Sequence, residues 1–331
     1  MATLKDVAAL AHCDVSTVSR ALNNSSYVHP ETKARIMAAV KELSYKPNVI
    51  ARGLRRGRLN TIAVIIPLLP FSIFAEVTSG IEEEARNQGY ATIMMNTGDD
   101  MLVEKESLNR IRNGFVDGII IAGTGQNRRI IRDISVEMPV IQVIRRFDLK
   151  MSSVVVDYTD IGYQSVTYLY KKGCRKIGLI NGSERIPPYA DRYRGYKQAI
   201  RELGLPEITA ERDSKLRGMK YGYDCTVKLI DENMELDAIL VASDAQGMGA
   251  MRALKDNGLF APQDVRVLSM TGQCVGDMLE TSLTSMELPG FEIGKKAAAM
   301  IISAIEAGED HKPAIQHLTF SATLVERETT N

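Results

Sequence analysis

The sequence predicts an all-α helix-turn-helix head joined to an α/β body of two doubly wound parallel-sheet subdomains. Three observations carry this. Residues 1–58 read as amphipathic helices with small polar residues on one face. From Thr61 onward, short apolar runs alternate with amphipathic helical stretches, as in parallel sheets covered on both faces. That alternation occurs in two series, and 331 residues are too many for one typical domain.

Thr3 can cap a first helix, with Asp6 three residues on completing a capping box. Leu4, Val7, Ala8 and Ala11 then share one face. His12-Cys13-Asp14 forms the turn, and Asp14 suits the N-cap of the next helix. There Val15, Val18 and Leu22 can face inward. Ser16, Thr17, Ser19 and Arg20 face outward, small enough for a recognition helix to approach base edges in a major groove. A third helix follows His29, with Pro30 at its first position, and continues through Ala34, Met37 and Val40 to Leu43. Tyr45-Lys46-Pro47-Asn48 ends it. The plainer alternative is a three-helix protein-binding bundle.

The segment PNVIARGLRRGR, residues 47–58, has a different character. Val49 to Leu54 is far shorter than the ~12 residues an isolated helix needs, and Gly53 weakens it further. It is expected to be ordered only when packed on something. Arg52, Arg55, Arg56 and Arg58 suit phosphates, and Leu54 suits an apolar wedge in a minor groove. A flexible basic linker is the alternative.

Charge supports the division. The chain has no formal net charge, yet residues 1–60 hold ten Lys/Arg against four Asp/Glu, and the remainder is acidic by the same margin. A basic head on an acidic body fits a module that meets a polyanion. A chance surface fluctuation would look the same from charge alone.

In the body, strands are expected at Ile62–Ile66, Thr92–Met95, Gly118–Ala122, Val140–Ile144 and Val154–Val156, then at Lys176–Ile180, Ala238–Ala242, Val265–Met270 and Leu283–Met286. Helices such as Ala75–Gln88, Ile161–Lys172, Ala190–Leu203 and Gln246–Asn257 lie between them. Gly89, Gly173, Gly204 and Gly258 each follow a helix, where a left-handed cap favours glycine.

Several function classes find no support. Cys13, Cys174, Cys225 and Cys274 are scattered singly, with no CxxC and no Cys/His cluster, so no metal site is expected and a reducing cytoplasm fits. No signal peptide precedes Lys5 and Asp6. The apolar stretch Ile62 to Val77 is broken by Pro67, Pro70, Ser72 and Glu76, and is shorter than the ~20 residues of a membrane span. Gly123-Thr124-Gly125 lacks the third glycine of a dinucleotide fingerprint, and no Walker A loop, GxSxG elbow or HExxH occurs. No cofactor and no enzymatic activity are expected.

TLKDVAALA, VSTVSRALNNSSYVHPETKARI and ELSYKPNVIARGLRRGRLNTIAVIIP closely resemble the lactose-repressor/galactose-repressor (LacI/GalR) family, and the resemblance runs on to VERETT at the C-terminus. It implies a cytoplasmic, sugar-responsive transcriptional repressor that binds a pseudo-palindromic double-stranded operator as a homodimer. It implies a body similar to periplasmic sugar-binding proteins, with the effector in a cleft at the strand ends. Residues matching the family's DNA contacts are Thr3, Val15, Ser16, Thr17, Ser19, Arg20, Asn23, Tyr45, Asn48 and Ala51, with Leu54 as the wedge. Three positions depart from the pattern. His12 replaces a turn glycine, which predicts strain; Asp14 replaces a neutral residue near phosphate; and His29 replaces a serine cap.

By the same resemblance the helix-turn-helix domain spans 1–46, the hinge helix and linker 47–59, and the effector-binding and dimerisation core 60–331. The chain would cross between subdomains near 158, 288 and 316, giving one subdomain of 60–158 with 289–315 and another of 159–288 with 316–331. Arg192 matches the family's effector arginine, Asp244 a polar effector contact, and Phe71 and Phe74 residues that pack on the effector. Thr124, Arg145, Arg217 and Gln273 are proposed from strand ends or nearby loops. Sugar-binding members usually carry aspartates where this chain has Ile144 and Thr271-Gly272. Fewer acceptors and up to three arginines point to a sugar acid or sugar phosphate. A neutral sugar remains open if Arg145 or Arg217 points to solvent. The rivals are a solute-binding protein and a sugar-modifying enzyme with a regulatory head.

Overall fold

Helix α1 (Leu4–Leu10) begins at the expected capping box: the Thr3 hydroxyl accepts from the Asp6 N–H at 3.3 Å, and the Asp6 carboxylate accepts from the Thr3 N–H at 2.7 Å. It is followed by α2 (Val15–Asn23) and α3 (Pro30–Glu42). Val7, Ala8, Ala11, Val18, Ala21, Ile36 and Ala39 form their shared core. The inward face of α2 therefore differs from the expected one. Val15 is 36% exposed, and Ala21 takes the inward place beside Val18. One residue past the cap, Val15 has not yet turned toward the core. Met37 is likewise exposed, and Ile36 and Ala39 hold α3 in place.

The structure is a computed structural model that describes residues 2–23, 26–45, 58–69, 73–112, 116–210, 218–232, 235–272, 274–308 and 313–331. The chain divides into two units, Met1–Leu59 and Asn60–Asn331. Val49 to Leu54, the expected hinge helix, lies outside the described residues.

The second unit alternates strands and helices as expected. In order these are β1 (Thr61–Ile66), α4 (Ile73–Asn87), β2 (Ala91–Asn96), α5 (Met101–Arg112), β3 (Gly118–Ile121), α6 (Arg128–Glu137), β4 (Val140–Ile144) and β5 (Ser153–Val156). Then come α7 (Tyr158–Lys171), β6 (Ile177–Ile180), α8 (Pro187–Leu203), β7 (Ile208–Thr209), α9 (Gly218–Asp231), β8 (Ala238–Val241), α10 (Asp244–Asp256), β9 (Arg266–Gly272) and β10 (Thr284–Glu287). Helix α11 (Gly290–Ala307), β11 (His317–Phe320) and β12 (Thr323–Val325) complete it.

Two six-stranded sheets result, with orders β11-β5-β4-β3-β1-β2 and β12-β10-β9-β8-β6-β7. All described pairings are parallel except β10 with β12. The period of two is visible in β1: Ile62, Val64 and Ile66 enter one core and Ala63 and Ile65 another, so both faces are covered. In each sheet the order reverses beside the first strand, which opens a crevice at the strands' carboxyl ends.

The chain passes between sheets at Asp157, at Leu288-Pro289 and at Ser321-Ala322. The third corrects the expected crossing near 316. His317–Phe320 pairs with β5, Leu318 opposite Val154, and so still belongs to the first sheet. Strands of four and three residues at the sheet edges, half exposed, carry too little apolar pattern to be read from sequence.

Four helices of the body end alike. Gly89, Gly173, Gly204 and Gly258 all adopt positive φ, from 66° to 97°, as expected. In each case the glycine N–H and the next N–H bond back to the last turn, closing a Schellman motif. In the head the same motif falls on His12 (φ 48°) and Ser44 (φ 46°). The predicted strain at His12 is thus a left-handed backbone without glycine, and such positions cost about 1–2 kcal/mol.

Three of the helix pairs that cover the sheets meet through reciprocal glycines. A Cβ on Gly80 of α4 would lie 2.0 Å from the Phe291 carbonyl oxygen, and one on Gly294 of α11 2.0 Å from that of Val77. For α7 and α8 the partners are Gly162 with Arg192 (2.2 Å) and Gly195 with Thr159 (1.9 Å). For α9 and α10 they are Gly222 with Gln246 (2.1 Å) and Gly249 with Met219 (1.9 Å). Backbone touches backbone at all three crossings.

Candidate functional site

Two surfaces deserve the name, one in each unit. In the head, the core face of α2 leaves Val15, Ser16 and Arg20 exposed, with Thr17 and Ser19 half-buried at the edge. Thr3 is exposed, but its hydroxyl is tied into the α1 cap. Tyr45 is half-buried against the head core. The side chain of Asn23, and all of Asn48, Ala51 and Leu54, lie outside the described residues. Tyr27 is 84% exposed between α2 and α3, an aromatic that the periodicity did not single out. Asp6 is held below the usual carboxylate range by its bonds from the Thr3 N–H and hydroxyl.

In the body, charged and polar residues gather where the carboxyl ends of the two sheets face each other. Strand β4 ends in a tight turn: Ile144 sits at φ 63° and the Arg145 N–H donates to the Val143 carbonyl at 2.6 Å. A γ-turn with a β-branched residue at positive φ is a strained arrangement. It turns the Ile144 side chain into the core and sends Arg145 into the cleft. There both guanidinium Nη atoms donate to the Asp99 carboxylate, Nη2 at 3.0 Å, and the guanidinium lies 5.6 Å from the Phe74 ring centroid. Both charged side chains are almost fully buried. The solvent-pointing alternative for Arg145 is therefore closed, and Phe74 packs beneath an arginine.

Arg192 enters from α8. It is 4% exposed, donates to the Thr271 hydroxyl, and lies 4.3 Å from the Tyr158 ring and 5.6 Å from the Tyr189 ring. Its Nε has no hydrogen-bond partner. Desolvation pulls its ionisation below the ordinary value; Tyr158, Tyr189 and Asp191 oppose this, and the charge of Arg145 adds to it. Burial pushes the Tyr158 phenol up while both arginines oppose it.

An acidic wall stands beside this cationic end. Glu287 closes β10, its carboxylate paired with Arg327 at 2.5 Å, and its Cγ lies 3.3 Å from where a Cβ on Gly272 would be, next to Thr271. Asp244 begins α10 and is buried. Glu76, in the first turn of α4, is raised above the usual carboxylate value by burial first and then by Glu287 and Asp244. A group that holds its proton more tightly when folded loses stability as pH rises through the interval between its unfolded and folded values. Glu76→Gln is therefore expected to melt higher than the wild type at pH 7, with the gain vanishing below the ordinary glutamate value. Thermal melts from pH 4 to 8 check this; a difference independent of pH would contradict it.

Thr124 requires correction as an effector contact. Its N–H and hydroxyl both donate to the buried Glu104, at 2.6 and 2.9 Å, and Asn127 Nδ2 donates to the same carboxylate at 2.8 Å. With the hydroxyl so committed, Thr124 braces the loop between β3 and α6. Glu104 itself, 20 residues away on α5, gave no sequence signal. Gln246 plays a similar part across β6 and β8, accepting from the Ala242 N–H and donating to the Asn181 carbonyl. Phe71, Arg217 and Gln273 lie outside the described residues. Among the described residues no cluster of three metal-ligating side chains occurs, and no helix is long and apolar enough to cross a membrane.

Comparison with known proteins adds the following. The family described as "Bacterial regulatory proteins, lacI family" matches residues 3–48, and "Periplasmic binding proteins and sugar binding domain of LacI family" matches residues 60–322. The chain is 30% identical over 338 residues to the HTH-type transcriptional regulator RegA of Clostridium saccharobutylicum, covering 100% of both. It is 30% identical over 314 residues to the HTH-type transcriptional repressor CytR of Escherichia coli (strain K12), covering 92% of this chain and 90% of that one. In fold it is similar to the lac repressor dimer bound to operator and the anti-inducer ONPF, with a TM-score of 0.88 at 22% identity over 99% of each chain.

Proposed function

The chain belongs to the LacI family of bacterial regulatory proteins, and on that premise we propose that it is a cytoplasmic repressor of a carbohydrate-utilisation operon. Two heads of a homodimer bind a pseudo-palindromic operator, because protein two-fold symmetry is mirrored in the site. The family is one of regulators, not of enzymes.

The observation that supports this best is the division of α2. Val18 and Ala21 anchor it in the head core, while Val15, Ser16 and Arg20 stand clear on the other side. Val15 and Ser16 are assigned to base edges. Thr3, Thr17, Ser19, Arg20, Asn23, Tyr45, Asn48 and Ala51 complete the DNA contacts, and Leu54 is the wedge. For the second copy, the edge strand β2 offers the exposed Ile93 and Met94, and the start of α5 offers Leu102 and Val103.

The effector, a sugar or an acidic sugar derivative, sits between the two sheets on Arg192, Arg145 and Asp244, with Phe71, Phe74, Arg217 and Gln273 around it. Its binding changes the relation of the two halves and hence the spacing of the paired hinge segments.

Operator affinity is expected to fall steeply with salt. Each phosphate neutralised by the basic head contributes about −0.9 to the slope of log K against log salt. Fluorescence anisotropy with a labelled operator between 50 and 200 mM salt measures it; a flat response would sink the assignment of the basic head to DNA.

A further inference from the structure

Among the described residues the cleft holds two buried guanidinium groups with unequal compensation. Arg145 is neutralised by Asp99 through two hydrogen bonds. Arg192 makes no ion pair among the described residues. The carboxylate beside it in sequence, Asp191, is paired with Arg194. Thr271 and two tyrosine faces are neutral neighbours, and Nε is left without an acceptor. Burying a charge without a counter-charge is costly, and a ligand that supplies one removes the cost.

The count of charges also limits the ligand. Among the described residues one buried guanidinium has no ion-pair partner, so one negative charge is called for. A phosphate dianion would bring a second, and the charges of Asp244 and of Glu287, itself paired with Arg327, already act on Glu76 close by. A neutral sugar would give Nε an acceptor and leave the charge as it was. Hydroxyl groups, in contrast, suit an acidic wall, because carboxylates only accept.

We propose that the effector is a polyhydroxy monocarboxylate, its carboxylate seated on Arg192 between the rings of Tyr158 and Tyr189 and its hydroxyls toward Glu76, Asp244 and Glu287. This rests on the reading of the cleft as the effector site. Asp99 compensates the charge of Arg145, so the second arginine demands no second anion.

The test uses the full-length chain and Arg192→Met. Matched sets of aldoses, aldonates, uronates and aldose phosphates are screened by thermal shift, and the hits are titrated calorimetrically. The expected result is stabilisation by an aldonate or uronate that binds about 100-fold more tightly than its matching aldose or phosphate, with a loss of about 100-fold in Arg192→Met. Without ligand, Arg192→Met should melt at or above the wild type, since an uncompensated cation has been removed. Should Arg192→Met not fold, Arg192→Lys, which keeps the charge but not the planar fork, should weaken the acid at least about tenfold. A neutral sugar or a phosphate as the tightest ligand, no stabilisation by any acid, or an acid that binds the variant equally well overturns the proposal. Operator affinity of the wild type reports separately on the regulatory reading, so the two can fail independently.

Discussion

Gly195→Ala is expected to lower the melting temperature of the body by roughly 5–10 °C. In an ordinary helix interior this exchange stabilises by about 0.5–1 kcal/mol, because glycine loses more freedom on folding. Here the new methyl would lie 1.9 Å from the Thr159 carbonyl oxygen and 2.8 Å from the Tyr163 nitrogen, both backbone atoms of the facing helix. Neither can rotate away, so α7 and α8 must move apart. Overpacking of that kind costs about 1–3 kcal/mol, which outweighs the helix gain and reverses the sign. The same displacement carries Tyr158 at the start of α7 away from Arg192 on α8. Effector affinity should therefore fall together with stability. A melt of Gly195→Ala at or above the wild-type temperature would show that the crossing is looser than the distances say.

Leu54→Ala is expected to weaken operator binding by about 10- to 100-fold, the worth of a buried leucine side chain at roughly 1.5–3 kcal/mol. Leu54 lies in a short basic segment whose other large apolar residues are Val49 and Ile50. Flanked by Gly53 and Arg55, its side chain gains most if it enters DNA as a wedge. Affinity for a non-operator duplex should change little, since that binding is mainly phosphate contact. Anisotropy titrations on both duplexes decide it; equal operator affinities for the variant and the wild type would remove the wedge.

What the sequence made legible was whatever depends on near neighbours. The capping box at Thr3 and Asp6, the four glycines after α4, α7, α8 and α10, and the apolar strands of both sheets are local patterns, and the structure has them. Helix direction was harder. Val15 was expected inward on spacing alone, and one position of phase at the start of α2 decides between core and surface. The cleft was legible as a set of candidates but not as a circuit. That Arg145 is taken by Asp99, 46 residues away, and Thr124 by Glu104, 20 residues away, depends on which strand ends the topology brings together. The acidic wall of Glu76, Asp244 and Glu287 comes from three separate elements, and two of its members gave no local signal.

The three crossings between the sheets are one or two residues long: Asp157, Leu288-Pro289 and Ser321-Ala322. From Phe320 to Thr323 the chain can stretch to about 11 Å at most, at up to ~3.6 Å per residue. Three such tethers act as a mechanical linkage. They leave the halves of the body free to twist past one another and forbid them to part. The cleft then has a ceiling on the girth of any molecule it can close around.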